Sequence, residues 1–296
     1  MDTSSPQQDG LAVRLVDAAT ADGGRVELAL HPAETTHPTD IGVVHIHGKG
    51  GNFYSLPFRP LVPHLGRLAA LHVSVNMRCH DLGYTRTDVP SADSVKQADV
   101  AVGGGWWEDL DMGAHDIAAA VAYARGRGCR SVFLVGHSAG GFYAADYASR
   151  HGSIAGMVLL SPLTGNKTNL QMWFPDADKL ASALAQAHDM VAEGRGHHII
   201  PIGAWYYGVS AATLLQRAAE PDGVWSDNLN TADVPLLVLW GAEESRGPMF
   251  RKLVQELKVR DKQCMELPGG EHNYIGQEAR TASHIARFIT DRLAGR

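Results

Sequence analysis

An apolar, β-type run at 132–135 meets Gly136-His137-Ser138-Ala139-Gly140, and a helix-compatible stretch follows at once. Few folds accommodate that order. A strand must turn sharply into a helix, leaving Ser138 at the corner with its hydroxyl presented, the arrangement of a Gly-x-Ser-x-Gly nucleophile elbow. A side chain at 136 or 140 would obstruct so tight a turn, which is why glycine is needed there.

The rest of the chain supplies a sheet around this corner. Segments 11–18 and 25–31 alternate apolar and polar residues about Asp22-Gly23-Gly24, which predicts an antiparallel hairpin. Segments 41–46 and 71–75 are near-continuous apolar runs, suited to strands buried on both faces. Small and apolar residues at helical spacing predict a helix over 116–127, and Gly126 and Gly128 can end it. Strand 131–135, helix 139–150 and strand 155–160 follow. Strand 236–240, helix 247–258, strand 263–267 and helix 277–293 close the chain. Strands alternating with helices after a hairpin predict an α/β fold with a mostly parallel sheet flanked by helices.

Segment 162–233 breaks the alternation. It holds an amphipathic helical pattern at 176–193 and a second near 210–219. The expected organisation is a core of 1–161 and 234–296, with 162–233 inserted as a helical cap. An insertion there must lie over the carboxyl ends of the strands, where open α/β sheets bind ligands. Trp173, Phe174, Trp205, Tyr206 and Tyr207 would give it an aromatic wall.

A serine hydroxyl is a weak nucleophile at neutral pH and needs a base, which itself needs an orienting group. Both arrive downstream. Strand 236–240 runs into Gly241-Ala242-Glu243-Glu244, and strand 263–267 runs into Pro268-Gly269-Gly270-Glu271-His272-Asn273. Loops that follow parallel strands share one edge of the sheet, so serine, acid and histidine can converge there in that chain order.

With these motifs the chain resembles the α/β-hydrolase superfamily over nearly its whole length. The resemblance implies His272 as the base, since the family's histidine follows a glycine turn after the last strand. It implies Glu244 as the acid, three residues after the glycine ending the seventh strand, with Glu243 as the alternative. His47-Gly48-Lys49-Gly50-Gly51 is similar to the family's His-Gly-x-Gly-Gly turn. The implied oxyanion donors are the backbone N–H groups of Lys49 and Ala139, each able to contribute roughly 3–4 kcal/mol to a transition state. The Lys49 side chain would either attract a substrate carboxylate or reach solvent. His47, Trp173, Trp205 and Tyr206 are the candidate substrate contacts.

A serine nucleophile excludes the dehalogenases and epoxide hydrolases of this fold, which form an ester on an aspartate. The expected activity is hydrolysis of a small-to-medium ester, lactone or thioester. Acyl transfer or lyase chemistry at the same triad, C–C cleavage included, is the alternative enzyme class. A ligand-binding protein on the same scaffold is the non-enzymatic one. No cofactor and no metal are expected. His45-x-His47, His80-Asp81 and His115-Asp116 contain ligand-type residues without a completed metal motif. His80 and Asp81 are read as loop anchors.

Composition narrows the partners. The formal net charge is −6, which favours neither nucleic acid nor an anionic membrane surface. No apolar run nears the roughly 18–20 residues of a membrane span. A small-molecule substrate is therefore the expected partner, and a homodimer is compatible with the chain. The polar segment 1–10 lacks the basic and apolar regions of a secretory signal and reads as a frayed arm. Cys79, Cys129 and Cys264 are odd in number and far apart, which fits a reducing cytoplasm better than a disulfide framework.

Overall fold

The computed structural model describes residues 12–31, 40–85, 102–202, 208–221 and 223–294. The expected arm at 1–10, and Trp205, Tyr206 and Tyr207, lie outside these residues. Eight strands form one sheet: β1 (Arg14–Ala19), β2 (Arg25–His31), β3 (Ile41–Ile46), β4 (Leu71–Asn76), β5 (Ser131–His137), β6 (Gly156–Leu160), β7 (Leu236–Gly241) and β8 (Lys262–Leu267). Their spatial order is β1-β2-β4-β3-β5-β6-β7-β8. Antiparallel pairing is confined to β1–β2 and β2–β4, and every pair from β4 to β8 is parallel. Hence the loops after β3, β5, β7 and β8 open on the same edge.

The strands in the middle of the sheet are buried along their whole length, as their unbroken apolar runs require. Helices cover both faces. On one face lie α1 (Met112–Gly126) and α2 (Ala139–His151), with Ile117, Val121, Ala144 and Tyr143 in the core. On the other, the last helix, spanning Glu278–Ala294, packs Ile285, Phe288 and Ile289 beside Phe58 and Leu61 of a short helix after β3. Helix α1 begins four residues before the expected position 116. Its Gly113 is buried against Tyr143 of α2, where a Cβ would come within 2.5 Å of the ring, so this glycine serves close helix packing.

Within the insertion, α3 (Asn166–Trp173), α4 (Ala177–Ala192) and α5 (Ala211–Ala219) gather a separate apolar cluster that includes Leu170, Trp173, Ala187 and Leu214. Asp176 caps α4 by accepting from the N–H groups of Asp178 and Lys179, and Ser210 caps α5 through Thr213. Two short antiparallel strands, Ile199–Pro201 and Gly208–Ser210, are also present and carry no alternation long enough to read from sequence. A further helix, α6 (Val224–Ala232), falls within the expected insertion but packs elsewhere. It packs on α2 and buries Trp225 and Leu229 completely in the main core, so it belongs to the helical layer of the sheet. Trp107 donates its indole N–H to the His197 carbonyl of the insertion at 2.7 Å.

Five histidines are buried in this framework: His31, His45, His47, His72 and His137 are each at most 5% exposed. His45 Nε2 meets His72 Nδ1 at 3.1 Å, and His31 Nε2 meets Ser74 Oγ at 2.8 Å. Burial pulls the pKa of His31, His47 and His72 down to about 4 and that of His137 to about 3, and carries His45 well below the usual value. The folded protein thus keeps these rings neutral while an unfolded chain protonates them below about pH 6.5. The contribution of these rings to stability is therefore level above that pH and falls as pH drops toward the folded pKa values, because the unfolded chain binds more protons there. Melting temperature is expected to drop steeply between pH 6.5 and 4.5 in a thermal-shift series. A flat profile across that range would contradict the neutral, buried assignment.

Candidate active site

Ser138 sits between the end of β5 and the start of α2 with φ 53° and ψ −119°. For a residue bearing a Cβ this is a strained conformation, worth roughly 1–3 kcal/mol. The surroundings enforce it. The Ser138 N–H donates to Leu160 O at 2.9 Å, and its carbonyl accepts from Leu163 at 2.7 Å and Gly141 at 3.0 Å. A Cβ on Gly140 would run into Ile46 O and lie 2.6 Å from His47 O, and one on Gly136 would lie 2.5 Å from Gly140 O. The elbow is pressed onto the end of β3 and the turn that follows it.

That turn holds His47 to Gly51. His47 is 1% exposed, with Nδ1 2.7 Å from Gly48 O and Nε2 accepting the Met77 N–H at 3.0 Å. Nδ1 thus braces the turn from within and Nε2 ties it to the end of β4, and His47, expected as a substrate contact, is absent from the walls of the cavities described below. Asn52 fastens the far side through Asp81 Oδ1 at 2.7 Å, and the Asp81 N–H returns to Gly51 O at 2.9 Å. His80 Nδ1 lies 2.9 Å from Asp81 Oδ2. The Lys49 side chain turns inward instead of reaching solvent: the ammonium is buried, donating to Glu108 Oε2 at 2.9 Å and Gly105 O at 2.6 Å.

The loops after β7 and β8 meet at His272. Its Nδ1 lies 3.0 Å from Glu244 Oε2, and the Glu244 side chain is 5% exposed. The neighbouring Glu243 is exposed and only its backbone N–H is engaged, by Gly270 O at 2.9 Å. The other oxygen of Glu244 accepts from Ser161 Oγ and from the Gly241 N–H, the latter at 2.9 Å. Burial alone would raise the Glu244 pKa, but hydrogen bonds from His272, Ser161 and Gly241 outweigh it and hold the value near about 2. The carboxylate is thus a fixed anion beside the imidazole.

Four more side chains shape this pair. Ser161 is hydrogen-bonded to Tyr274 Oη at 2.7 Å, and that hydroxyl reaches Leu239 O at 3.0 Å, bracing Glu244 from behind. His137 Nε2 donates to the His272 carbonyl at 2.8 Å, with the two rings 4.8 Å apart, so the residue before Ser138 steadies the loop that carries His272. Arg246 Nη2 lies 3.1 Å from His272 Nδ1, 3.4 Å from Glu244 Oε2 and 3.5 Å from Ser161 O. A single ring nitrogen cannot donate to Glu244 and accept from Arg246 at once. With Nδ1–H directed at Glu244, the guanidinium rests on the carboxylate and the Ser161 carbonyl.

Ser138, Ala139, Lys49, Glu243, Glu244, Arg246, His272 and Trp173 all line one cavity of about 550 Å³, whose wall also includes Leu163, Asn169 and Met172. A second cavity of about 540 Å³ opens from the other side, between the glycine turn and Tyr54, Leu56 and Arg59. Both are bounded by Lys49, Ser138, His272 and Asn273, so the serine stands where they meet. A third space of about 460 Å³, around Arg78 and Asp116, touches neither Ser138 nor His272. Trp173 is the expected aromatic contact that the structure brings to the site. Among the described residues, no three His, Cys, Asp or Glu side chains cluster as a metal site would, and no helix is long and apolar enough to cross a membrane.

A model of the Alpha/beta hydrolase family matches residues 43–283, and the chain belongs to that family. No curated protein matches its sequence. Among solved structures it is similar to the alpha/beta hydrolase GrgF from Penicillium sp. sh18, at 12% identity and a TM-score of 0.72, covering 96% of this chain and 100% of that one. Est1E from Butyrivibrio proteoclasticus with ferulic acid bound is 15% identical with a TM-score of 0.68, covering 95% and 99%. An esterase from Pyrococcus furiosus is 16% identical with a TM-score of 0.59, covering 97% and 94%. At these identities the likeness concerns the fold.

Proposed function

We propose that the protein is a serine hydrolase that cleaves a small-to-medium carboxylic ester, lactone or thioester through an acyl-enzyme on Ser138. The observation that carries this reading is the Glu244–His272 pair, joined at 3.0 Å, in the wall of the cavity that also contains the strained Ser138. His272 takes the Ser138 proton as Oγ attacks the carbonyl carbon, and Glu244 orients the ring and stabilises its charged form. The backbone N–H groups of Lys49 and Ala139 hold the oxyanion. The leaving group departs with the proton from His272. Water, deprotonated by the same ring, then attacks the acyl-enzyme and releases the acid.

Two cavities meeting at the serine support this scheme, one for the acyl part and one for the leaving group. Their sizes fall within the usual range for small-molecule sites. Leu163, Met172 and Trp173 favour an apolar moiety on the α3 side. In this reading, segment 162–233 acts as the cap of the site through α3, α4 and α5. The esterase named among the similar structures and the ferulic acid bound to Est1E agree with an ester substrate. The test is steady-state hydrolysis of a panel of p-nitrophenyl esters, thioesters and lactones, with the released acid quantified. Saturable turnover with one equivalent of acid per cleaved bond is expected. Product that appears only when an alcohol or amine acceptor is added would replace hydrolysis with acyl transfer.

A further inference from the structure

Lys49 contributes its backbone N–H to the proposed oxyanion hole, yet its side chain enters a buried polar hub whose centre is Glu108. The Glu108 side chain is fully buried, and those of Lys49 and Arg217 are 4% and 1% exposed. Glu108 Oε2 receives Lys49 Nζ at 2.9 Å and also Arg217 Nη2, while Oε1 receives the Tyr143 hydroxyl. Each partner comes from a different part of the site. Lys49 is in the glycine turn, Tyr143 is on α2, the helix that starts at Ala139, and Arg217 is on α5 of the insertion. Arg217 extends the hub to Asn166 at the start of α3. Trp173, at the other end of α3, lies 4.8 Å from the Lys49 ammonium and 5.2 Å from the Arg217 guanidinium, and its remaining surface faces the catalytic cavity.

Ion pairs this deeply buried add little net stability, because desolvation offsets the attraction. What they do supply is fixed geometry. One carboxylate here grips the elements that bear both oxyanion donors and the insertion that walls the cavity. Gly105 adds to the grip: its carbonyl accepts from Lys49 at 2.6 Å, and a Cβ there would lie 3.3 Å from Gly50. We infer that Glu108 is a positioning residue that sets the spacing of the Lys49 and Ala139 N–H groups and makes it depend on docking of the insertion. The inference rests on the acyl-enzyme reading above. Glu108 touches no reacting atom in it; it acts through Lys49 and through Tyr143.

The test uses two variants that leave the Glu108–Arg217 pair intact. Lys49→Met keeps the backbone donor and the apolar stem, and Tyr143→Phe removes one oxygen. Small misplacements of catalytic groups are expensive in rate, up to about 100-fold for about 1 Å. Each variant is expected to lower kcat by about 10-fold or more with KM within about 3-fold of wild type, and the pair to lose less than the product of the singles. Melting temperature and circular dichroism establish that the variants are folded. Folded variants whose kcat stays within 2-fold, or that change KM alone, would overturn the inference while wild-type turnover leaves the hydrolase reading standing. Wild-type protein that hydrolyses no ester and leaves Ser138 unlabelled by a fluorophosphonate overturns both.

Discussion

Replacing Ser138 with alanine is expected to lower kcat on any ester substrate by about 10⁴- to 10⁶-fold, the scale of removing a nucleophile that works as a unit with its base. The residual rate would come from the oxyanion donors and binding alone. Substrate affinity should be retained, because Ser138 is one wall residue of cavities bounded mainly by other side chains. Stability should change little, since the elbow is held by the backbone bonds of residue 138 and by the packing of Gly136 and Gly140. The check is kcat and KM on one chromogenic ester, with equilibrium binding of the corresponding acid to both proteins. A fall smaller than about 100-fold would contradict covalent catalysis at this serine.

The second large effect separates two adjacent glutamates. Glu244→Gln keeps the shape of the side chain but can offer an N–H toward His272 Nδ1, favouring the tautomer that cannot accept the serine proton. A loss of about 10⁴-fold in kcat is expected, as for other triads whose acid becomes an amide. Glu243→Gln should stay within about 3-fold of wild type, because its carboxylate is exposed where it lines the cavity and the bond to His272 Nδ1 comes from Glu244. The pH profile adds a sign. Glu244, held near about 2, remains ionised throughout the working range, so acid loss of activity above pH 4 should not reflect its titration. Equal losses in the two variants would contradict the assignment of the acid.

Much of this site is local in sequence. The elbow is contiguous, the succession of strands and helices along the chain follows from alternation, and His272 stands in a glycine turn after a strand. What could not be read arises from contacts between distant segments. Ser161 braces Glu244 from 83 positions away and is itself held by Tyr274, 113 positions further along the chain from it, and no spacing rule links them. Glu108 is one acidic residue among many until Lys49, 59 positions away, turns inward to meet it. Arg246 looks like an ordinary start to a helix, yet its guanidinium touches the His272 ring. The same limit explains α6: residues 224–232 look like more of the insertion, but Trp225 and Leu229 find their burial on α2. His47 was legible as a turn residue, but not that both of its nitrogens are taken by backbone groups, one of them at the neighbouring strand's end.

The most direct test of the acyl-enzyme claim is reaction with a fluorophosphonate followed by mass spectrometry of the peptides, with His272→Ala and an active serine hydrolase treated in parallel. One adduct on Ser138 in the wild-type protein, formed rapidly and lost in His272→Ala, is the predicted result. A folded wild-type protein whose Ser138 stays unmodified while the control enzyme is fully labelled would contradict an activated serine.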